Sequence, residues 1–173
     1  MVALLVLFIL WWLLLGKLEQ VMQSAEQQSL NMVLTQLRSA LVVKGAEAML
    51  SRKQNLADLA GENPFEWLNH QWPMYQGQCN GDAPERGHWC FAIRLQNETD
   101  ETGNGWLMYS VKQPITIDGK VVEPDQPLAW EVTTEFADRN RNNLREQDER
   151  LTGLRLTAVP LAEITANRQD SKR

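Results

Sequence analysis

From Met1 to Leu15 the chain carries no charged side chain, and only the indoles of Trp11 and Trp12 can hydrogen-bond. Such sequence is compatible with hydrocarbon. The run closes at Gly16-Lys17-Leu18-Glu19, about 16 residues against the roughly 20 that span a bilayer, and Leu18, Val21 and Met22 can carry the helix on into the interface. No proline follows until Pro64, and Lys17 to Ala60 is rich in Gln, Leu, Ala, Glu, Met and Lys, all good helix formers. Leu30, Val33, Leu34, Leu37, Ala40 and Leu41 recur with helical spacing, so one face is apolar. The pattern predicts a transmembrane anchor over residues 1–16 and a continuing stalk helix over 17–60, together about 85 Å long at roughly 1.5 Å per residue. Leu18 to Gln28 is more polar and reads as an exposed stalk open to partners. Leu30, Leu34, Leu37 and Leu41 read as the packing face, turned mainly toward the chain's own sheet. Gly61 suits a left-handed cap and Pro64 forbids continuation.

Past Pro64 the period changes from helical to alternating. Trp89, Phe91, Ile93 and Leu95 share one face of a strand over 88–95, and Trp130, Val132 and Phe136 do so over 128–136. Gly105 to Lys112 reads as a further strand, joined to 88–95 by the polar loop 96–104. ITIDGKVV at 115–122 centres on Asp-Gly, a hairpin signal, and 151–159 supplies a last strand with Leu154 and Leu156 inward. Residues 61–164 are therefore expected to form an antiparallel β domain and 165–173 a disordered tail. With no βαβ repetition, the fold class is α+β: a long N-terminal helix packed on a C-terminal antiparallel sheet.

The formal net charge of −5 and the lack of a basic cluster among the aromatics exclude a usual nucleic-acid footprint. Cys79 and Cys90 are the only two cysteines. An even count across a short loop points to one disulfide and an oxidising compartment, where it would restrict the unfolded chain by roughly 2–4 kcal/mol. The apolar start lacks both the basic region and the small-residue cleavage site of a removable signal, so it is expected to be retained as an anchor.

An apolar start VALLVLFILWWLLL, a Pro-free stem to Ala60, the helix-ending GENPFEWL at 61–68, and the strand pair HWCFAIRL and GWLMYSVK together resemble the type IV pilins and pseudopilins. The resemblance implies a pilin-like fold and a single pass through a bacterial inner membrane, with the C-terminal domain in the periplasm. It further implies partners among pilus-assembly or pilin subunits, and neither nucleic acid nor a small-molecule substrate. A prepilin's basic leader and the Glu early in its apolar run are not matched, since Glu19 follows the run. The closer expectation is thus an unprocessed accessory protein of pilus biogenesis, of the mannose-sensitive haemagglutinin kind. The alternatives are a minor pilin entering the filament and an anchored periplasmic sensor with a ligand cleft between helix and sheet.

Asp138, Asn140, Asn142 and Glu149 stand at calcium-loop positions 1, 3, 5 and 12, with Asn143 where the sixth position wants Gly. Some pseudopilins hold calcium in a C-terminal loop. Against a calcium site stand Arg139, Arg141 and Arg145, and a solvated loop without metal is the favoured reading; no other cofactor is expected. A zinc set of His70, Cys79, His88 and Cys90 would place His88 and Cys90 on one strand in a spacing that matches no common finger. No nucleophile elbow, phosphate loop or HExxH motif occurs, so the chain is not expected to be an enzyme. Of the tryptophans, Trp67 and Trp72, flanking a turn, are the expected surface contacts.

Overall fold

A computed structural model describes residues 2–51, 54–68, 71–79, 83–93, 105–117, 119–124, 126–142, 144–146 and 149–160. The good helix formers yield one unbroken helix, α1, over Val2–Leu50, about 73 Å long at 1.5 Å per residue. Its N-terminal part is long and apolar enough to cross a membrane. Within Val2–Leu15 the large apolar side chains are 49–78 % exposed, unlike the buried apolar residues of a soluble core.

The helix ends at Leu50, not near residue 60. Leu56 and Leu59 are the reason: both are buried, and an α-helix continued straight on would carry them away from the sheet. The chain reverses instead, and a new 3-10 turn over Leu56–Leu59 starts at Asn55. Asn55 Oδ1 accepts from Ala57 N–H at 3.2 Å, and Asp58 Oδ2 accepts from Asn55 N–H at 3.3 Å, so side chains satisfy donors at the head of the turn. Gly61 adopts the expected left-handed φ, +76°. It follows the 3-10 turn, however, and its backbone docks on the sheet, donating to Val132 O and accepting from Gly105 N. A second 3-10 turn occupies Pro64–Trp67.

Among the described residues seven strands follow: β1 Tyr75–Gln78, β2 Trp89–Ile93, β3 Gly105–Tyr109, β4 Ile115–Ile117, β5 Lys120–Val122, β6 Leu128–Phe136 and β7 Leu151–Ala158. The main sheet runs β1-β2-β3-β6-β7, and β4-β5 forms a separate hairpin. The sheet is mixed rather than antiparallel. The β2-β3, β3-β6 and β6-β7 pairs are antiparallel, but the unforeseen edge strand β1 lies parallel to β2. Parallel neighbours need a crossover connection, and here it is short and stapled: the Cys79–Cys90 disulfide ties the end of β1 to β2, while Cys79 N–H donates to Phe91 O at 2.8 Å. The disulfide expectation is thus met.

Strand β3 is buried along its whole length, because both faces of the sheet are covered. Leu107 and Tyr109 point into the core shared with α1, while Trp106 and Met108 join Cys90 and Ala129 on the opposite face. The α1 core face is the expected one: Leu30, Leu34, Leu37 and Leu41 are 0–5 % exposed, against Trp89, Trp130, Val132, Leu154 and Leu156. These four leucines belong to the intramolecular core and are not a free interaction face. α1 lies against β7 at Gly45, where a Cβ would sit in ordinary contact 3.7 Å from Leu154 and Leu56. The loop 96–104 and the tail 165–173 lie outside the described residues.

Leu37 is fully enclosed, so Leu37→Ala should leave a cavity and lower the unfolding free energy by about 2–5 kcal/mol. Urea unfolding followed by Trp fluorescence reads this directly; Leu144→Ala, at an exposed loop position, should stay within about 0.5 kcal/mol.

Candidate functional site

The stretch of α1 expected to stand free is docked on one side only, through Met22, Glu26 and Gln27. Glu26, one turn before Leu30, turns its carboxylate into the end of the sheet. Oε1 accepts from the Tyr109 hydroxyl at 2.9 Å and from Lys112 N–H at 2.6 Å, and Oε2 accepts from Gln113 N–H at 3.1 Å. Beside it, Gln27 Nε2 donates to Thr116 O at 2.7 Å, and Gln113 Nε2 approaches Met22 Sδ at 3.8 Å. The β3–β4 connection is thereby clasped to the helix shortly after the helix leaves its apolar segment. The signal was present in the sequence: Glu26 is a charge at helical spacing from Leu30, at the head of an apolar face. What it meets lies more than eighty residues away, which no local pattern reveals.

Next to the clasp lies a cleft of about 320 Å³ between helix and sheet. Met22, Leu30 and Val33 line it from α1, and Trp72, Met74 and Trp89 from the other side, with Glu26 and Lys112 contributing its polar groups. Gly87 is required at its rim. Its φ is +78°, and a Cβ there would collide with the Lys112 side chain.

Trp67 and Trp72 are half-buried and pack against the main core, which corrects their expected role as free surface contacts. Trp72 meets Phe65 edge-on at 6.3 Å, and Phe65 in turn stacks on Tyr75 at 4.4 Å. Buried Asn63 organises this corner: its Nδ2 donates to Glu66 Oε1 and Tyr75 Oη, while its Oδ1 accepts from Phe65 N–H. Trp67 lies along the flank of α1 near Ala40 and Lys44.

In the 138–149 loop the oxygens turn toward the loop's own donors. Glu149 is 5 % exposed, and its two oxygens accept from Arg139 N–H at 2.9 Å and Glu146 N–H at 3.1 Å. Asp138 Oδ1 and Asn140 Oδ1 both accept from Asn142 N–H, Asn142 Oδ1 accepts from Leu144 N–H, and Glu146 Oε1 accepts from the amides of Asn140 and Asn142. The expected calcium donors therefore serve as a turn-forming network; Asn143 lies outside the described residues. Among the described residues no group of three or more His, Cys, Asp and Glu side chains is placed to hold a metal. The zinc alternative also loses its thiolates to the Cys79–Cys90 disulfide, and His70 lies outside the described residues.

Burial, then the Glu26 carboxylate and its hydrogen bond, push the Tyr109 phenol well above its ordinary value of 10.0. Tyr75 moves the same way, chiefly through burial. A raised folded-state value means that the contribution to stability is complete below the unfolded phenol value and is lost as pH rises from there toward the folded one. Unfolding free energy should therefore fall above about pH 10. Tyr109→Phe should flatten that alkaline decline, leaving the slope due to Tyr75, while costing about 1 kcal/mol at neutral pH for the lost hydrogen bond. Glu26→Ala, which strips three donors of one acceptor group, should cost about 1–2 kcal/mol at pH 7. Denaturant titrations at a series of pH values check both.

Comparison with protein-family models, with curated proteins and with solved structures gives no match for this chain.

Proposed function

We propose that this protein is a membrane-anchored, non-enzymatic component of type IV pilus biogenesis that works as a protein-interaction module. Its residue patterns are similar to those of the pilus biogenesis protein F of mannose-sensitive haemagglutinin systems. The observation that carries the reading is the continuity of α1. One helix passes without a break from an exposed apolar segment into the core of a disulfide-stapled α+β domain, a layout suited to holding a folded domain at a fixed height over a bilayer. The disulfide fits an oxidising compartment and favours a single-pass protein of a bacterial inner membrane with its sheet domain in the periplasm. The non-enzymatic reading is supported by the clasp. The carboxylate in the helix–sheet cleft has both oxygens engaged by the fold itself, leaving it poorly placed as a general base.

The helix–sheet cleft favours a second reading, an anchored periplasmic sensor, because its lining is mostly apolar with a few convergent polar groups. The two readings part in one experiment. Full-length protein recovered from native membranes under mild detergent, with co-purifying proteins identified by mass spectrometry, should bring pilus-assembly or pilin subunits with it. Recovery with none of them, together with unimpaired piliation of a deletion strain, would overturn the pilus reading in favour of the sensor.

A further inference from the structure

The face of α1 turned away from the sheet carries an unused pattern. Leu18, Ala25, Met32, Ser39 and Ala46 follow one another at seven-residue spacing, and all are exposed. Val21, Gln28, Thr35, Val42 and Met49 do the same three residues further on, also exposed. Together they form the a and d positions of a heptad repeat that continues the apolar segment outward. Lys17, Glu19, Glu26, Arg38, Lys44 and Glu47 all fall outside this seam, although a solvated helix face would ordinarily carry the charge.

The seam's few polar groups are muted. Thr35 Oγ1 donates to Asn31 O at 2.7 Å and Ser39 Oγ to Thr35 O at 2.9 Å, so both hydroxyls are satisfied within the helix. Val42 and Met32 remain 69 % and 55 % exposed. The residues that α1 buries on its own sheet, Leu30, Val33, Leu34, Leu37 and Leu41, occupy b, c and f positions, the outer side of such a coil. None of these buried residues belongs to the seam; Ala25, Ser39 and Met49 of the seam border clefts against the folded domain but are themselves exposed.

We infer that the seam is covered by a second copy of this chain, forming a parallel two-stranded coiled coil that rises from the membrane. The flanking positions decide in favour of self-pairing. Lys17 and Arg38 at g face Met22 and Val43 at e of an identical, parallel, in-register helix, so no like charges meet and no acidic partner is specified. Gln28 meets its own equivalent, and an amide with both donors and an acceptor is self-complementary. Two copies anchored in one bilayer with the same orientation are already parallel and concentrated. From Leu4 to Met49 the seam is about 67 Å long and, at about 10 Å wide, comes within reach of the roughly 800 Å² per partner that a stable interface needs. The inference rests on the membrane anchor of the proposed function but not on its pilus partners.

Disulfide trapping in native membranes tests it with the full chain, whose two native cysteines are already paired. Met32→Cys and Val42→Cys should give covalent dimers on mild oxidation, several-fold more than Gln20→Cys and Glu47→Cys, which are equally exposed but lie off the seam. Adding Ala46→Glu to Val42→Cys should abolish the dimer while the Cys79–Cys90 bridge persists as the sign of an intact fold. Equal trapping at all four sites, no dimer at the seam, or trapping only to a different protein would each overturn the inference. Co-purification of pilus subunits, scored on the same samples, judges the proposed function separately.

Discussion

Everything in this molecule depends on the packing of one helix, exposed and apolar at its start and buried along one face further on. The first turns of α1 are apolar on every side and exposed, and this segment is long and apolar enough to cross a membrane. From Leu30 onward the same helix has a single buried face, and Leu37 and Leu41 are sealed beneath Trp89, Trp130 and Leu154. Because no break separates the two regimes, the sheet domain is carried by the same helix that holds the exposed apolar segment. Glu26 makes this coupling firm. It bonds the helix to the Tyr109 hydroxyl at the end of β3 and to the backbone amides of Lys112 and Gln113 just after it.

The sheet is organised to receive that helix. Its middle strand β3 is buried on both faces; one face packs on α1, and the other is closed by the cluster around the disulfide. The disulfide and the parallel edge strand belong together, since the staple holds β1 beside β2 where a short connection alone would hold it poorly. In the loop between β6 and β7, Glu149 and Glu146 accept hydrogen bonds from the loop's own donors.

Much of this was legible in the residues. The apolar run, the helical spacing of Leu30 to Leu41, the alternation in Trp89–Phe91 and Trp130–Val132, the Asp-Gly hairpin and the inward Leu154 and Leu156 are local periodicities, and local periodicity follows burial. What escaped is non-local. The end of α1 at Leu50 depends on where Leu56 and Leu59 find the sheet, not on Gly61. Strand β1, with its sequence YQGQ, has no alternation of apolar residues to announce it; its pairing comes from β2 and the disulfide. Trp67 and Trp72 looked like surface because they flank an expected turn, yet both side chains are partly buried against the core. The Glu26 clasp joins residues far apart in the chain, and only its odd placement at the head of an apolar stripe hinted at it.

The central claim is that α1 is a single rigid element from the bilayer to the domain, secured where it meets the sheet. Amide hydrogen exchange on the full-length protein in a lipid bilayer tests this most directly. The account predicts slow exchange running without interruption from Lys17 through Leu41, with protection across Met22 to Gln27 reduced selectively by Glu26→Ala. Exchange at the rate of an unstructured chain anywhere between Gly16 and Gln27 in the unaltered protein would show a flexible hinge there and contradict it.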